Sequence, residues 1–186
     1  MQRSARLAFI AVAVVSILPF VAAYVAFFVW PPDGTVNYGE LIAPDPLPEA
    51  ILPGLAGQSA LNREAMTGNW TLVYAGPGAC GSPCIHALYA MRQSRRAQGR
   101  DMARVARVWL VTDAGVPDPG LLREHAELRV VRADPRWLER LPAAERGEHV
   151  FLVDPLGNVM MRFPQRPDIA RVIDDLKRLL KFSSVG

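Results

Sequence analysis

The chain holds two cysteines, Cys80 and Cys84, and both stand in one stretch, Gly76-Pro77-Gly78-Ala79-Cys80-Gly81-Ser82-Pro83-Cys84. An apolar run, Trp70-Thr71-Leu72-Val73-Tyr74-Ala75, precedes it, and Ile85-His86-Ala87-Leu88-Tyr89-Ala90-Met91-Arg92 follows. The first reads as a buried strand and the second as a helix, with Gly and Pro turning the chain between them. Backbone N–H groups at a helix start are unpaired and partly positive. They stabilise a thiolate and lower its pKa, so Cys80 is the expected reactive thiol. Cys84 comes four residues later, a spacing that puts two helical side chains on one face. Two thiols so placed can form a disulfide or chelate a soft metal ion. The plainer alternative is a pair of small buried apolar side chains.

Alternating elements surround the pair. The patterns predict a strand over 70–75, a helix over 84–98 stopped by Gly99, and a strand over 102–112. A short helix over 121–126, a short strand over 128–131 and a helical turn over 135–141 follow. Then come a strand over 150–154, the turn Pro155-Leu156-Gly157-Asn158 and a strand over 159–163. Asp168 is placed to cap a last helix, on which Ile169, Val172, Ile173, Leu176, Leu179 and Leu180 share one face. Strands alternating with helices imply an α/β fold with a mostly parallel sheet; the late hairpin makes one edge antiparallel. That order is the one expected of a thioredoxin-like domain.

Residues 7–30 carry no charge and are long enough to cross a bilayer as a helix, with Pro19 inside. Arg3 and Arg6 precede the run and no basic residue follows before Arg63, so the positive-inside rule puts the N-terminus in the cytoplasm. A cleavable signal peptide ending at Val21-Ala22-Ala23 is the competing reading. The apolar run continues past that point to Trp30, an interfacial aromatic, which favours an uncleaved anchor. The expected organisation is a cytoplasmic 1–6, a transmembrane 7–30, a Pro-rich extended linker 31–54 and a periplasmic domain 55–186. An exported cysteine pair can be oxidised. The net charge is +3, but two of the 21 basic residues are Arg3 and Arg6, leaving 19 against 18 acidic ones. The balance gives no case for nucleic acid. Arg92, Arg95, Arg96, Arg100, Arg104 and Arg107 form a basic stretch, read as a solvated face.

The segment 69–76 followed by Cys80 and Cys84 resembles the Sco/SenC branch of the thioredoxin superfamily, which carries CxxxC after a strand. Leu110-Val111-Thr112-Asp113 is similar to that family's second strand, and Phe151-Leu152-Val153-Asp154-Pro155-Leu156-Gly157 to its hairpin. The likeness runs over about 50–181. It implies a membrane-anchored, periplasmic protein that assists cytochrome c oxidase assembly, with oxidase subunits or other assembly factors as partners. In that family two cysteines and a distant histidine bind copper, which implies Cys80, Cys84 and one of this chain's three histidines as Cu(I) ligands. His86 sits two residues beyond Cys84 and points away on a helix. His125 lies in a polar segment and is expected to be solvated. His149, just before the strand at 150, is the remaining candidate. The family's histidine falls nearer Arg146, so His149 reaches the thiols only if the loop 146–148 rearranges; a satisfied loop histidine is the alternative. The family's proline after the second cysteine is Ile85 here. Two further roles stay open beside copper delivery or thiol reduction: a metal-free thiol–disulfide oxidoreductase, and a scaffold with a structural disulfide.

Overall fold

In the computed structural model, residues 2–29 and 37–183 are described. Helix α1, Gln2–Val29, runs through Pro19 without a break. Its stretch Arg6–Phe28 is long and apolar enough to cross a membrane. Trp30, Pro31 and Pro32, on which the interfacial and linker expectations partly rest, lie outside the described residues, as do residues 184–186.

The second unit begins at Asn37. Its six strands are β1 (Glu40–Pro46), β2 (Trp70–Gly76), β3 (Val105–Val111), β4 (Arg129–Arg132), β5 (Val150–Val153) and β6 (Asn158–Arg162), in the sheet order β1-β6-β5-β2-β3-β4. β2, β3 and β4 are parallel; β5, β6 and β1 are joined antiparallel. The helices are α2 (Ser82–Arg96), α3 (Pro119–Glu124), α4 (Pro135–Leu138) and α5 (Ile169–Phe182). β2 sits mid-sheet with every residue buried, which explains why its sequence is an apolar run rather than an alternation. Successive side chains still serve opposite faces. Leu72 and Tyr74 pack with Leu88 and Met91 of α2 and Leu176 of α5, whereas Val73 and Ala75 pack with Leu110, Leu52 and Trp137. Asp154 closes the β5–β6 hairpin by accepting from the Leu156 and Asn158 N–H groups at 2.9 and 2.8 Å, and Gly157 takes the positive φ of 85° that the turn requires. Asp168 caps α5 as its position predicts, accepting from the Ala170 N–H at 2.9 Å.

The linker expected over 31–54 is corrected from Tyr38 onward. Residues 40–46 form β1, paired with β6 at the sheet edge. Proline is tolerated on an edge strand, where a missing N–H breaks no central ladder, so the composition of a tether and of this strand coincide. Leu47 and Leu52 are buried, and Leu52 exchanges backbone hydrogen bonds with Leu61. Trp137 Nε1 donates to the Pro48 carbonyl at 3.0 Å. The buried Asp175 carboxylate accepts from the Tyr38 and Gly39 N–H groups, each at 2.9 Å.

The basic stretch also divides. Arg92 donates to the Glu124 carbonyl and Arg95 to Val105, each at 2.6 Å. Arg107, on β3, is buried and donates to the Ala126 carbonyl. His125, expected to be solvated, is 4% exposed. Burial, with the Arg92 and Arg107 charges, pushes its pKa down to about 4, so the ring is neutral at physiological pH. A strand predicted from 102 starts at Val105, because Gly99–Arg104 is a 3-10 turn.

Candidate functional site

β2 delivers the chain to Gly76, at the end of the sheet where α2 begins. The loop that follows is held by a neighbour. Asp113, just past β3, accepts from the Gly78 N–H at 2.8 Å and the Gly115 N–H at 3.0 Å through one carboxylate oxygen. Gly78 lies flat on Gly115: a Cβ on Gly78 would stand 2.5 Å from the Gly115 carbonyl group. No side chain fits that approach, which accounts for the glycine.

Gly81 is the N-cap of α2, with Ser82 and Pro83 its first two residues and Cys84 the third. Pro is favoured there because its missing N–H has no helical partner to lose. The helix therefore begins two residues earlier than the sequence suggests, and Cys80 precedes the cap. The two cysteines do not share a helical face; a loop residue meets the first turn. They form a disulfide, Cys80–Cys84, with Cα atoms 5.2 Å apart. Cys84 is 2% exposed and packs in the core with Leu88 and Met91, while Cys80 is only partly buried. Breaking the bond leaves the Cys84 sulfur in the first turn, where backbone N–H groups stabilise its negative charge.

The loop before β5 does reach this site, as the fold predicts, but through another residue. Gly147 faces Tyr74 and Pro77, and its carbonyl accepts from the Tyr74 hydroxyl at 2.9 Å. Burial pushes the Tyr74 pKa up to about 12, which keeps the phenol a neutral donor. His149 stands two residues on, with Nδ1 bonded to the Phe163 carbonyl at 2.8 Å and the ring in a hollow lined by Tyr38, Glu40 and Arg162. Among the described residues no three His, Cys, Asp or Glu side chains group as a metal site. His86 faces Pro83, Glu148 and Arg166 in a separate hollow.

Asp113 as a clamp, and Tyr74 as the post for Gly147, escape a reading that looks for reactive side chains. Their signal was present: Asp113-Ala114-Gly115 at a strand end is an Asx-turn pattern. The Gly78 N–H, then that of Gly115, holds the Asp113 carboxyl below the usual carboxylate range. A lowered folded-state pKa stabilises the clamp above the ordinary carboxylate value and loses it as pH falls through the lower one. Asp113→Ala is expected to speed amide exchange of Gly78 and Gly115 by about tenfold at neutral pH. Wild type should show the same acceleration only in acid. Amide exchange followed by NMR measures both, and unchanged rates in the variant would remove the clamp.

A family profile described as transmembrane-like, thioredoxin-like, C-terminal domain matches residues 70–183. No curated protein matches the sequence. Solved structures share the fold. Apo Sco1 from Thermus thermophilus aligns at 18% identity with a TM-score of 0.61, covering 79% of this chain and 99% of its own. Copper-bound ScoI from Bradyrhizobium japonicum aligns at 19% identity and 0.55, covering 72% and 99%. The thioredoxin domain of a thiol-disulfide oxidoreductase from Bacteroides vulgatus aligns at 15% and 0.52, covering 75% and 99%. The mixed sheet with flanking helices is thus the thioredoxin-like fold that the order of elements predicts.

Proposed function

The chain belongs to the transmembrane-like, thioredoxin-like C-terminal domain family, and we propose that it is a membrane-anchored factor that assists cytochrome c oxidase assembly by thiol–disulfide exchange at Cys80 and Cys84. α1 is the anchor, with the domain on the periplasmic side of the inner membrane; Arg3 and Arg6 before the apolar run support that orientation. One observation carries the chemistry: a Cys80–Cys84 bond at a helix N-terminus with Cys80 partly exposed and Cys84 in the core. In the reducing direction the Cys80 thiolate attacks a disulfide of the partner and joins it through a mixed disulfide, expelling one partner thiolate. The Cys84 thiolate then attacks Cys80 Sγ, releases the second partner thiol and closes Cys80–Cys84. Two electrons pass to the partner, whose cysteines end reduced. The family likeness suggests the copper-site cysteines of the oxidase as that partner.

Cu(I) delivery is the second reading. Reduced Cys80 and Cys84 are soft thiolates that suit Cu(I), and the chain has the fold of the copper-bound Bradyrhizobium protein. Copper would be cargo held between the two sulfurs, with His149 as a third ligand only after its bond to Phe163 breaks. Anaerobic Cu(I) competition on the reduced full chain tests this reading. Cys80→Ser and Cys84→Ser should each weaken binding more than about a hundredfold, and His149→Ala should change it less than about threefold. Affinity should fall with pH, because protons compete for the thiolates. A wild-type affinity equal to that of the double cysteine variant would sink the copper reading and leave exchange alone. The reduction potential tests exchange itself: a value below about −300 mV marks a structural disulfide and a scaffold.

A further inference from the structure

We propose that the C-terminal end of α5, together with the turn Gly99–Arg104, is a docking face for a bilayer rich in anionic phospholipid. This rests on the reading of α1 as a membrane anchor.

The two segments enclose a groove of about 520 Å³ whose lining includes Arg100, Arg104, Lys177 and Lys181, with Asp101 the acid among them. Arg104 ties the walls together: Nη1 donates to the Leu180 carbonyl at 3.1 Å and Nη2 to that of Ser183 at 2.8 Å. Asp101 is engaged by Arg104 at 3.3 Å and by Arg100 at 3.8 Å. Lys177 and Lys181 are exposed one turn apart on α5, and the Arg100 side chain is 96% exposed. Asp174, exposed one turn before Lys177, offsets part of that charge. Cations are nevertheless in excess, and an apolar ring stands among them. Phe182 is 79% exposed, with Lys181 Nζ 5.6 Å from its centroid. An aromatic ring beside lysines, open to solvent, is the composition of a surface that lies in a lipid headgroup layer.

The way the chain joins the domain favours a bilayer over an acidic protein. Arg178, between Lys177 and Lys181, donates to Asn37 Oδ1 at 3.4 Å, and Asp175 holds the next two N–H groups. The first described residues of the domain are thus fixed to α5 within a turn of the groove. From Val29 to Asn37 there are eight residue steps, which span at most about 29 Å fully extended. A bilayer that holds α1 is therefore tethered to the domain at high effective concentration. Lysines and arginines that close to an anionic surface are drawn to it, and salt screens the attraction.

The test uses the full chain in lipid nanodiscs of phosphatidylcholine, with and without phosphatidylglycerol, followed by hydrogen exchange. Peptides spanning 99–104 and 177–183 should exchange about tenfold more slowly in the anionic discs. The protection should disappear in about 0.5 M salt, where the Debye length is only a few ångström, and in the variant Lys177→Glu/Lys181→Glu. Unchanged exchange in 70–76 shows that the variant is folded. Equal exchange in neutral and anionic discs would overturn the proposal. So would the same protection from inorganic phosphate in neutral discs, which marks a free-ion site, or from polyglutamate, which marks an acidic partner. A chain that does not stay with neutral discs refutes the anchor, and the docking face with it.

Discussion

Cys80→Ser is expected to stop exchange with a protein disulfide, whereas Cys84→Ser should keep the first attack and hold the partner as a mixed disulfide. The asymmetry follows from burial. Cys80 is partly exposed in the loop before the Gly81 cap, and Cys84 is 2% exposed beneath it. Of the two residues, Cys80 is therefore the one a partner of protein size can approach. Cys84 reaches Cys80 from behind and so resolves the bond that Cys80 has formed. Without Cys80 the rate should fall by at least about a thousandfold, since no other thiol exists in the chain. The measurement is trapping by mass spectrometry of the full chain with a peptide disulfide, for both variants and wild type. Alkylation gives the companion readout: Cys80 in Cys84→Ser should be modified faster than Cys84 in Cys80→Ser, because only Cys84 is buried in the core. Equal trapping by both variants would remove the division of roles.

The cysteine site was legible because its signal is local. A strand, a Gly/Pro turn and a helix in immediate succession leave little freedom for Cys80 and Cys84, and the Pro at the second helical position fits the same reading. His149 was not legible in this way. Its distance from the thiols depends on where a distant loop lands, and the loop lands with Gly147 on Tyr74 and Pro77. From there the chain turns into β5 and gives the imidazole to the Phe163 carbonyl. Spacing from a family pattern could name the loop but not the residue of it that makes the contact. His125 failed for a related reason. Arg123-Glu124-His125-Ala126-Glu127 looks solvated as a string, yet the segment packs between α2 and β3, where Arg92 and Arg107 surround the ring.

A chain beginning at Leu55 is expected not to fold, while one beginning at Asn37 should melt as the whole domain does. Composition hides this, because six prolines over 31–54 describe a tether as well as they describe an edge strand and its approach. What decides is the partners. Removing residues up to 54 uncovers β6 along its β1 side and turns it into an open edge. It empties the places of Leu47 and Leu52, each fully buried and each worth about 2 kcal/mol by area. It leaves Trp137 Nε1 without the Pro48 carbonyl, about 1 kcal/mol. It also strips the Tyr38 and Gly39 N–H groups from Asp175, which is 2% exposed in the whole domain and has Arg178 at 3.8 Å; losing those hydrogen bonds to a charged group costs about 1–3 kcal/mol. These losses are comparable with the whole margin of about 5–15 kcal/mol on which a domain rests. Thermal melts by circular dichroism and urea titrations of the two chains make the comparison. If the chain from Leu55 melts cooperatively within a few degrees of the chain from Asn37, residues 37–54 are dispensable and the strand is an ornament of the edge.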